Sequence, residues 1–339
     1  MGEVVSAIHS NEYEKFLKNH PTQETMTTAL SKSFQTAVLI PCYNEERTIA
    51  SVVRDFSAAL PDCLVFVYDN NSTDRTAAEA AAAGAIVRRE RTQGKGNVLR
   101  RMLADVEADV YIVVDGDATY DANACPGMVE TLLTEGLDLV NGARVATDKS
   151  AFRRGHHLGN ALLTGLIKLI FGTGLDDILS GYKVMSRRFV KSIPLLSGGF
   201  ETETELAIHA LSLRMPIAEM PTSYRNRSSG SASKLSTYRD GIKILSTIVW
   251  LMKEERPLLF FSIAGAALAA IAIILAVPII ITFIETGLVP RLPTAVLAAA
   301  IMILSFLSLS SGLILDTVTR GRREMKRMVY LATPPHSMR

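Results

Sequence analysis

Cysteine is scarce and poorly placed for structural work: Cys42, Cys63 and Cys125 are the whole complement, and no pair has CxxC spacing. So sparse and odd a set of thiols excludes a disulfide scaffold and a cysteine-based zinc site, and it fits a reducing compartment. Net charge is equally small, +2 from 36 Lys and Arg against 34 Asp and Glu. That balance carries no general polyanion-binding signal, and nucleic acid is not expected as a partner. Tryptophan occurs once, at position 250. The opening residues, MGEVVSAIHSNEYEKFLKNH, lack the apolar core of a secretory leader.

Apolar residues are concentrated at the other end. No Asp, Glu, Lys, Arg or His occurs from Leu258 to Ile284, nor from Thr294 to Leu315. Both runs predict transmembrane helices, the first reaching roughly 40 Å against a bilayer core of ~30 Å, so it should tilt, or bend at Pro278. The link ETGLVPRLP is too short to fold alone. Arg320, Arg322, Arg323, Lys326 and Arg327 follow the second run, and the positive-inside rule assigns them, with everything before the hairpin, to the cytoplasm. A multi-pass protein of a plasma (inner) membrane is expected, with the lipid bilayer as a partner. Before the hairpin, Ile242, Leu245, Ile248, Val249 and Met252 recur at helical spacing among basic residues. An amphipathic helix at the bilayer interface, anchored by Trp250, has this pattern, and so does an ordinary core helix.

The region from Thr36 alternates short β-branched runs (AVLI 37–40, LVFVY 64–68, AIVR 85–88, VYIVV 110–114) with stretches of helical composition. This alternation predicts parallel βαβ units in a doubly wound α/β sheet, whose ligands bind beyond the carboxyl ends of the strands. The polar motifs fall at those ends. Asp115-Gly116-Asp117 follows VYIVV, and two hard carboxylates at a strand end suit Mg²⁺ or Mn²⁺ beside phosphates. Alone, such a triplet is more often a solvated turn. PCYNE (41–45) and DNNSTD (69–74) end the first two strands and supply polar and aromatic groups for a nucleoside, although Ser72 or Asp74 could equally cap the next helix. QGKGN (93–97) lacks the GxxxxGK[ST] frame, which excludes a P-loop ATPase and leaves Lys95 able to face a phosphate.

PCYNE, DNNSTD, QGKGN, DGD, NGAR (141–144), DILSGY (177–182) and RSSGSASK (227–234) occur in this order. The set resembles family 2 glycosyltransferases of the GT-A fold, and within them the polyprenyl-phosphate branch that includes dolichyl-phosphate mannose synthase and bactoprenol-phosphate glycosyltransferases. The resemblance implies a GT-A mixed sheet with a C-terminal interfacial helix and two transmembrane helices. The expected division is a polar extension 1–35, a catalytic domain 36–235, an interfacial helix 236–257, a hairpin 258–319 and a basic cytoplasmic tail 320–339. It also implies that Pro41, Tyr43, Glu45, Asp69, Lys95, Asp115, Gly116, Asp117 and Arg144 hold the nucleotide. Asp115, Asp117 and Thr119 would meet Mg²⁺ or Mn²⁺, with Thr119 standing where the mannose synthases have Gln. Arg153, His157, Arg227, Ser233 and Lys234 would serve the acceptor phosphate, and Asp117 and Asp177 the catalysis. Of Glu201, Glu203 and Glu205, the last looks most like the family's acidic position, and packing or a preference for negative charge at a helix N-terminus accounts for it equally well. His209 is read as structural.

The reaction so implied moves one sugar from a nucleotide sugar, a UDP-sugar by preference, to undecaprenyl or another polyprenyl phosphate, with inversion. An acceptor phosphate is already an anionic nucleophile, so the protein need only position it and neutralise the leaving diphosphate. A homotetramer and a role in cell-envelope glycan assembly follow by resemblance only. A processive polysaccharide synthase would need a QxxRW motif, and Trp250 is preceded by STIV. A nonenzymatic membrane scaffold would have no need of both Asp115 and Asp117.

Overall fold

The strands β1 (Thr36–Cys42) and β2 (Cys63–Asp69) place successive side chains on two buried faces. Leu39 joins Tyr68, Leu99, Met102 and Tyr111 on one side, while Val38 and Ile40 join Ile49, Val53, Phe56 and Val67 on the other. Two-sided burial is the reason these strands read as continuous apolar runs. The computed structural model describes residues 35–146, 164–165, 167–168, 171, 175–198, 201–225, 246 and 249–334. Within them α1 (Ile49–Ala59), α2 (Thr76–Ala82) and α3 (Lys95–Asp105) link β1 and β2 to β3 (Ile86–Arg89) and β4 (Val110–Val113). The β1–β2, β2–β3 and β1–β4 pairings are all parallel.

The second half of the sheet changes direction. After α4 (Cys125–Thr134) come β5 (Leu139–Ala146) and β6 (Lys183–Ser186), then α5 (Arg187–Ser192), α6 (Thr202–Leu213) and β7 (Ile217–Tyr224). β6 runs antiparallel to both β4 and β5, whereas β7 is parallel to β5. The strand order is β3-β2-β1-β4-β6-β5-β7. The doubly wound mixed sheet expected from the sequence is present, and β6 is the strand that makes it mixed.

Two long helices follow, α7 (Pro257–Thr286) with Pro278 inside it and α8 (Leu292–Ala332). Both are long and apolar enough to cross a membrane. They pack on each other, with the Ser305 hydroxyl donating to the Gly265 carbonyl at 2.8 Å and Ser308 to that of Phe261 at 2.9 Å. Such short polar contacts tighten helix pairs where hydrophobic exclusion gives no help. Before α7, residues 249–255 are helical. Leu251 is buried in the domain core and Met252 packs against it, while Val249 and Trp250 face outward at 45% and 46% exposure. Most of the rest of 236–257 lies outside the described residues.

The basic stretch from 320 is a correction to the sequence reading: up to Ala332 it is the end of α8, not a separate tail. Its charges are used inside the chain. Arg322 and Arg323 pair with Glu254 and Glu255 at 2.7 and 2.8 Å, and Arg327 donates to the Leu213 carbonyl. At the tip, the Tyr330 hydroxyl donates to Asp138 Oδ2 at 2.8 Å, and Arg188 lies over the Tyr330 ring while donating to the Thr333 carbonyl. These contacts keep the helix going past the uncharged run that ends at Leu315 and dock it on the domain.

Candidate functional site

The carboxyl ends of β1, β2 and β4 lie side by side, since Cys42 is in register with Asp69 and Leu39 with Val113. The two loops leaving β1 and β2 interlock. Asn44, at φ 55°, accepts from the Thr73 amide at 2.8 Å and donates its own amide to Ser72 Oγ at 2.9 Å, while the Glu45 amide donates to Thr76 Oγ1 at 2.8 Å. Asp69 is buried, with its oxygens 3.2 and 3.3 Å from the Ser72 amide. Asp74 accepts from the Thr76 amide at 3.0 Å, ahead of α2, so the motif provides the start of a helix as well as a buried carboxylate. Pro41 and Tyr43 flank Cys42 at this edge. The buried Cys42 thiol has its pKa raised by desolvation first and then by Glu45, Asp69, Asp115 and Asp117, which places four carboxylates around one point.

Asn70 ties the next loop to this edge. Its amide donates to the Glu90 and Thr92 carbonyls, and its oxygen accepts from the Gly94 amide at 2.8 Å. The glycines of QGKGN serve close packing: a Cβ at Gly94 would stand 2.3 Å from the Gly198 carbonyl oxygen, and one at Gly96 2.1 Å from that of Ser197. Between them Lys95 is half-buried and lies 2.5 Å from both Asp115 Oδ1 and Glu203 Oε1. Burial alone would lower its pKa, but the two carboxylates outweigh that and hold the ammonium well above its ordinary value.

Asp115 and Asp117 follow β4, with Gly116 tucked beneath them. A Cβ there would meet Cys42 Sγ at 2.7 Å, and the Gly116 carbonyl accepts from Thr48 Oγ1 at 2.8 Å. Asp117 is buried, and its Oδ1 accepts from the Thr119 hydroxyl at 2.6 Å and amide at 3.2 Å. Thr119, expected among the metal ligands, uses its hydroxyl proton to hold Asp117. Asp115 rests against Gly181, where a Cβ would come within 2.4 Å of Oδ2. The Gly181 amide in turn donates to the Tyr120 hydroxyl at 2.8 Å. A cavity of about 540 Å³ reaches Asp115 from the α1 side, lined also by Ser51, Asp55, Tyr120 and Arg225, but not by Pro41, Tyr43, Glu45 or Asp69.

Arg144 and Asp177 form a second unit. The guanidinium donates from Nε and one terminal nitrogen to the two carboxylate oxygens, both at 2.7 Å, and the Arg144 amide adds a bond of 3.0 Å. Arg144 also stacks over Tyr224 at 5.6 Å. Although burial would lower its pKa, Asp177 and the nearby tyrosines raise it. Behind this pair, Glu219 accepts from the Asp176 and Asp177 amides and from Asn141, whose oxygen accepts from Lys183 Nζ at 2.5 Å. Lys183 is fully buried in β6, and burial pushes its pKa down to about 8 against the opposing pull of Glu203, Asp177 and Glu219.

The structure thus brings Asp69, Asp115, Asp117, Glu45 and Lys95 to one edge and pairs Arg144 with Asp177. Arg153, His157, Arg227, Ser233 and Lys234 lie outside the described residues. Sequence reasoning missed Glu203, Lys183 and Glu219. Glu205, for which packing was the alternative to the family's acidic position, accepts from the Leu196 and Ser197 amides at 2.7 and 2.8 Å. His209 is structural: buried in α6, 2.9 Å from Ser192 Oγ and edge-on to Phe189.

Comparison with known proteins agrees with this geometry. Residues 37–193 match the family model for glycosyl transferase family 2. Glycosyltransferase AglJ of Haloferax volcanii is 33% identical over 297 residues, which is 87% of this chain and 97% of that protein. The dolichyl-phosphate hexose transferase of the same organism is 28% identical over 220 residues, 65% of this chain and 95% of that one. Glucosyl-3-phosphoglycerate synthase of Mycobacterium tuberculosis, solved with Mn²⁺, UDP-glucose and glycerol 3-phosphate, has a TM-score of 0.53 at 27% identity, covering 66% of this chain and 81% of that one. The same enzyme has been solved with Mg²⁺ and UDP.

The donor set here fits such a cation. Asp115 and Asp117 offer hard oxygens, and Gly181 leaves room for the Asp115 carboxylate. Among the described residues no group of three His, Cys, Asp or Glu side chains forms a complete metal site. A bound ion would therefore complete its shell with diphosphate oxygens and water, as Mg²⁺ commonly does. Taken together, the ordered motifs, the mixed sheet, the carboxylate pair beyond β4 and the similarity to AglJ over 87% of the chain show that this chain belongs to glycosyltransferase family 2.

Proposed function

We propose that this glycosyltransferase moves a single sugar from a nucleotide diphosphate, by preference UDP, to a polyprenyl phosphate at the cytoplasmic face of a bacterial plasma membrane. The observation that carries the reading is the coexistence in one chain of the Asp115–Asp117 pair and two helices long enough to span a bilayer, with the second docked on the domain through Tyr330 and Asp138. The UDP complexes of the Mycobacterium structures support the donor class, and the name of the dolichyl-phosphate hexose transferase supports the acceptor class.

In this reading Pro41, Tyr43, Glu45 and Asp69 hold the nucleoside. Asp115 and Asp117 hold Mg²⁺ or Mn²⁺, which neutralises charge on the leaving diphosphate. Lys95 fixes Asp115, and Thr119 fixes Asp117. Arg144 serves the reacting phosphates, and Asp177 keeps it oriented. Arg153, His157, Arg227, Ser233 and Lys234 receive the acceptor phosphate. That phosphate attacks the anomeric carbon from the side opposite the leaving group, so the product is inverted and no strong general base is required. A homotetramer and a role in cell-envelope glycan assembly are part of the same reading.

The deciding experiment incubates the purified full-length protein with undecaprenyl phosphate and a panel of UDP- and GDP-sugars, followed by mass spectrometry of the lipid. One nucleotide sugar should give a lipid mass increased by a single hexose-type residue. Chains of several sugars would point to a processive synthase, and the absence of any lipid product across the panel would overturn the acceptor.

A further inference from the structure

We propose that Glu203 is a positioning residue for the cation at the Asp115–Asp117 pair, acting through Lys95 rather than on the ion itself. The proposal rests on the metal-assisted transferase reading above. A single Lys95 ammonium is shared between two carboxylates at 2.5 Å, one belonging to the motif beyond β4 and one to the first turn of α6. Glu203 has a side-chain exposure of only 7%.

Glu203 is delivered to Lys95 by tightly fitted backbone. Besides the Ser197 contact, a Cβ at Gly96 would meet Thr202 Oγ1 at 2.8 Å, so α3 and the start of α6 already touch at the glycine. Arg100 donates to the Leu195 and Leu196 carbonyls, and Glu205 accepts from the next two amides. The segment before α6 is thereby fixed on both sides, and Glu203 meets Lys95 from the first turn of the helix that follows it.

The charge count gives this contact its function. Lys95 paired with Asp115 alone would form a neutral couple, and the carboxylate beside Asp117 would offer a cation little attraction. With Glu203 as second partner, the trio keeps one net negative charge. The ammonium is held between two acceptors, and Asp115 remains an effective anion. Glu203 also restrains the Lys95 ammonium from pairing directly with a diphosphate, so the diphosphate depends on the metal for its countercharge.

The test uses full-length protein in detergent, with Mn²⁺ affinity at saturating UDP read by electron paramagnetic resonance and UDP affinity in EDTA read by calorimetry. Glu203→Gln should weaken Mn²⁺ binding by about tenfold and strengthen metal-free UDP binding by about threefold, because the freed ammonium favours an anion and disfavours a cation. Opposite signs are the signature, since loosened packing would weaken both. Glu203→Asp keeps the charge but draws it back from Lys95, and should move both affinities in the same two directions by less; it also serves if the Gln variant does not fold. Both affinities falling together, or neither moving, would overturn the proposal. Wild-type protein that binds no UDP at saturating Mn²⁺ would overturn the transferase reading, and this inference with it.

Discussion

Arg144 holds Asp177 three times over, with two guanidinium bonds of 2.7 Å to separate oxygens and its own amide at 3.0 Å. The two residues come from β5 and from the segment just before β6, strands that run antiparallel. One largely buried ion pair therefore fixes the segment before β6 to strand β5.

That pairing makes the stability of the two residues interdependent. Arg144→Ala should cost about 3–5 kcal/mol, because it strips the guanidinium from a buried Asp177 carboxylate and leaves only the amide of residue 144 beside it. Adding Asp177→Asn removes the stranded charge and should restore most of the thermal stability in detergent without restoring turnover. Equal stability in the single and double variants would show that the pair is not coupled.

Asp117→Asn keeps the shape and the acceptor that Thr119 bonds, but it removes a hard anionic donor. Turnover should fall about a hundredfold or more, the scale of a lost electrostatic contact at a transition state, with an unchanged melting temperature. More than half the wild-type rate at saturating Mn²⁺ would contradict the proposed role.

Gly181→Ala and Gly96→Ala should fail differently. At Gly181 the new methyl meets the end of a side chain, Asp115 Oδ2, which can swing aside. Activity should drop while unfolding is little changed. At Gly96 it meets a carbonyl oxygen of the main chain at 2.1 Å, so the protein itself should be destabilised by about 1–3 kcal/mol. Parallel measurements of melting and turnover on the two variants check the contrast.

Membrane topology is open to direct labelling. A cysteine at Thr286, at the end of α7, should react with an impermeant maleimide in intact cells. One at Leu331, exposed near the end of α8, should react only after lysis. The reverse pattern would place the catalytic domain outside.

His209 predicts an acid limb of stability. Burial, reinforced by Lys326, lowers its pKa from 6.5 to about 3. Between those values the unfolded chain binds a proton that the folded chain refuses. Stability is therefore complete above about pH 6.5 and falls as the pH drops toward 3, by an amount on the order of 4–5 kcal/mol. His209→Leu should flatten the slope of melting temperature against pH in that window.

The strand ends carrying PCYNE, DNNSTD and DGD were legible because polar turn residues interrupt short β-branched runs. The pairing of Lys95 was not. Three glutamates alternate at 201, 203 and 205, and α6 is buried around most of its circumference, so no amphipathic stripe marks which one faces inward. Lys183 was hidden for a related reason: a lone lysine in a strand ordinarily points to solvent, yet all four residues of β6 are buried. The continuation of α8 was obscured because the end of the uncharged run, Leu315, and the last helical residue, Ala332, are different things. Glu254, Glu255 and Asp138, distant in sequence, are what sustain the helix beyond the membrane-length run.

α8 also acts as a ruler. Thr319 donates to the Glu254 carbonyl beside the hairpin, and Tyr330 donates to Asp138 within the domain, both from a single unbroken helix. The interval between those points is about 16 Å, set by helical rise alone. One residue inserted there would lengthen it by about 1.5 Å and rotate Tyr330 by about 100° away from Asp138. The height of the sheet edge above the hairpin is thus recorded as a residue count, and a viable change in that count comes in whole turns.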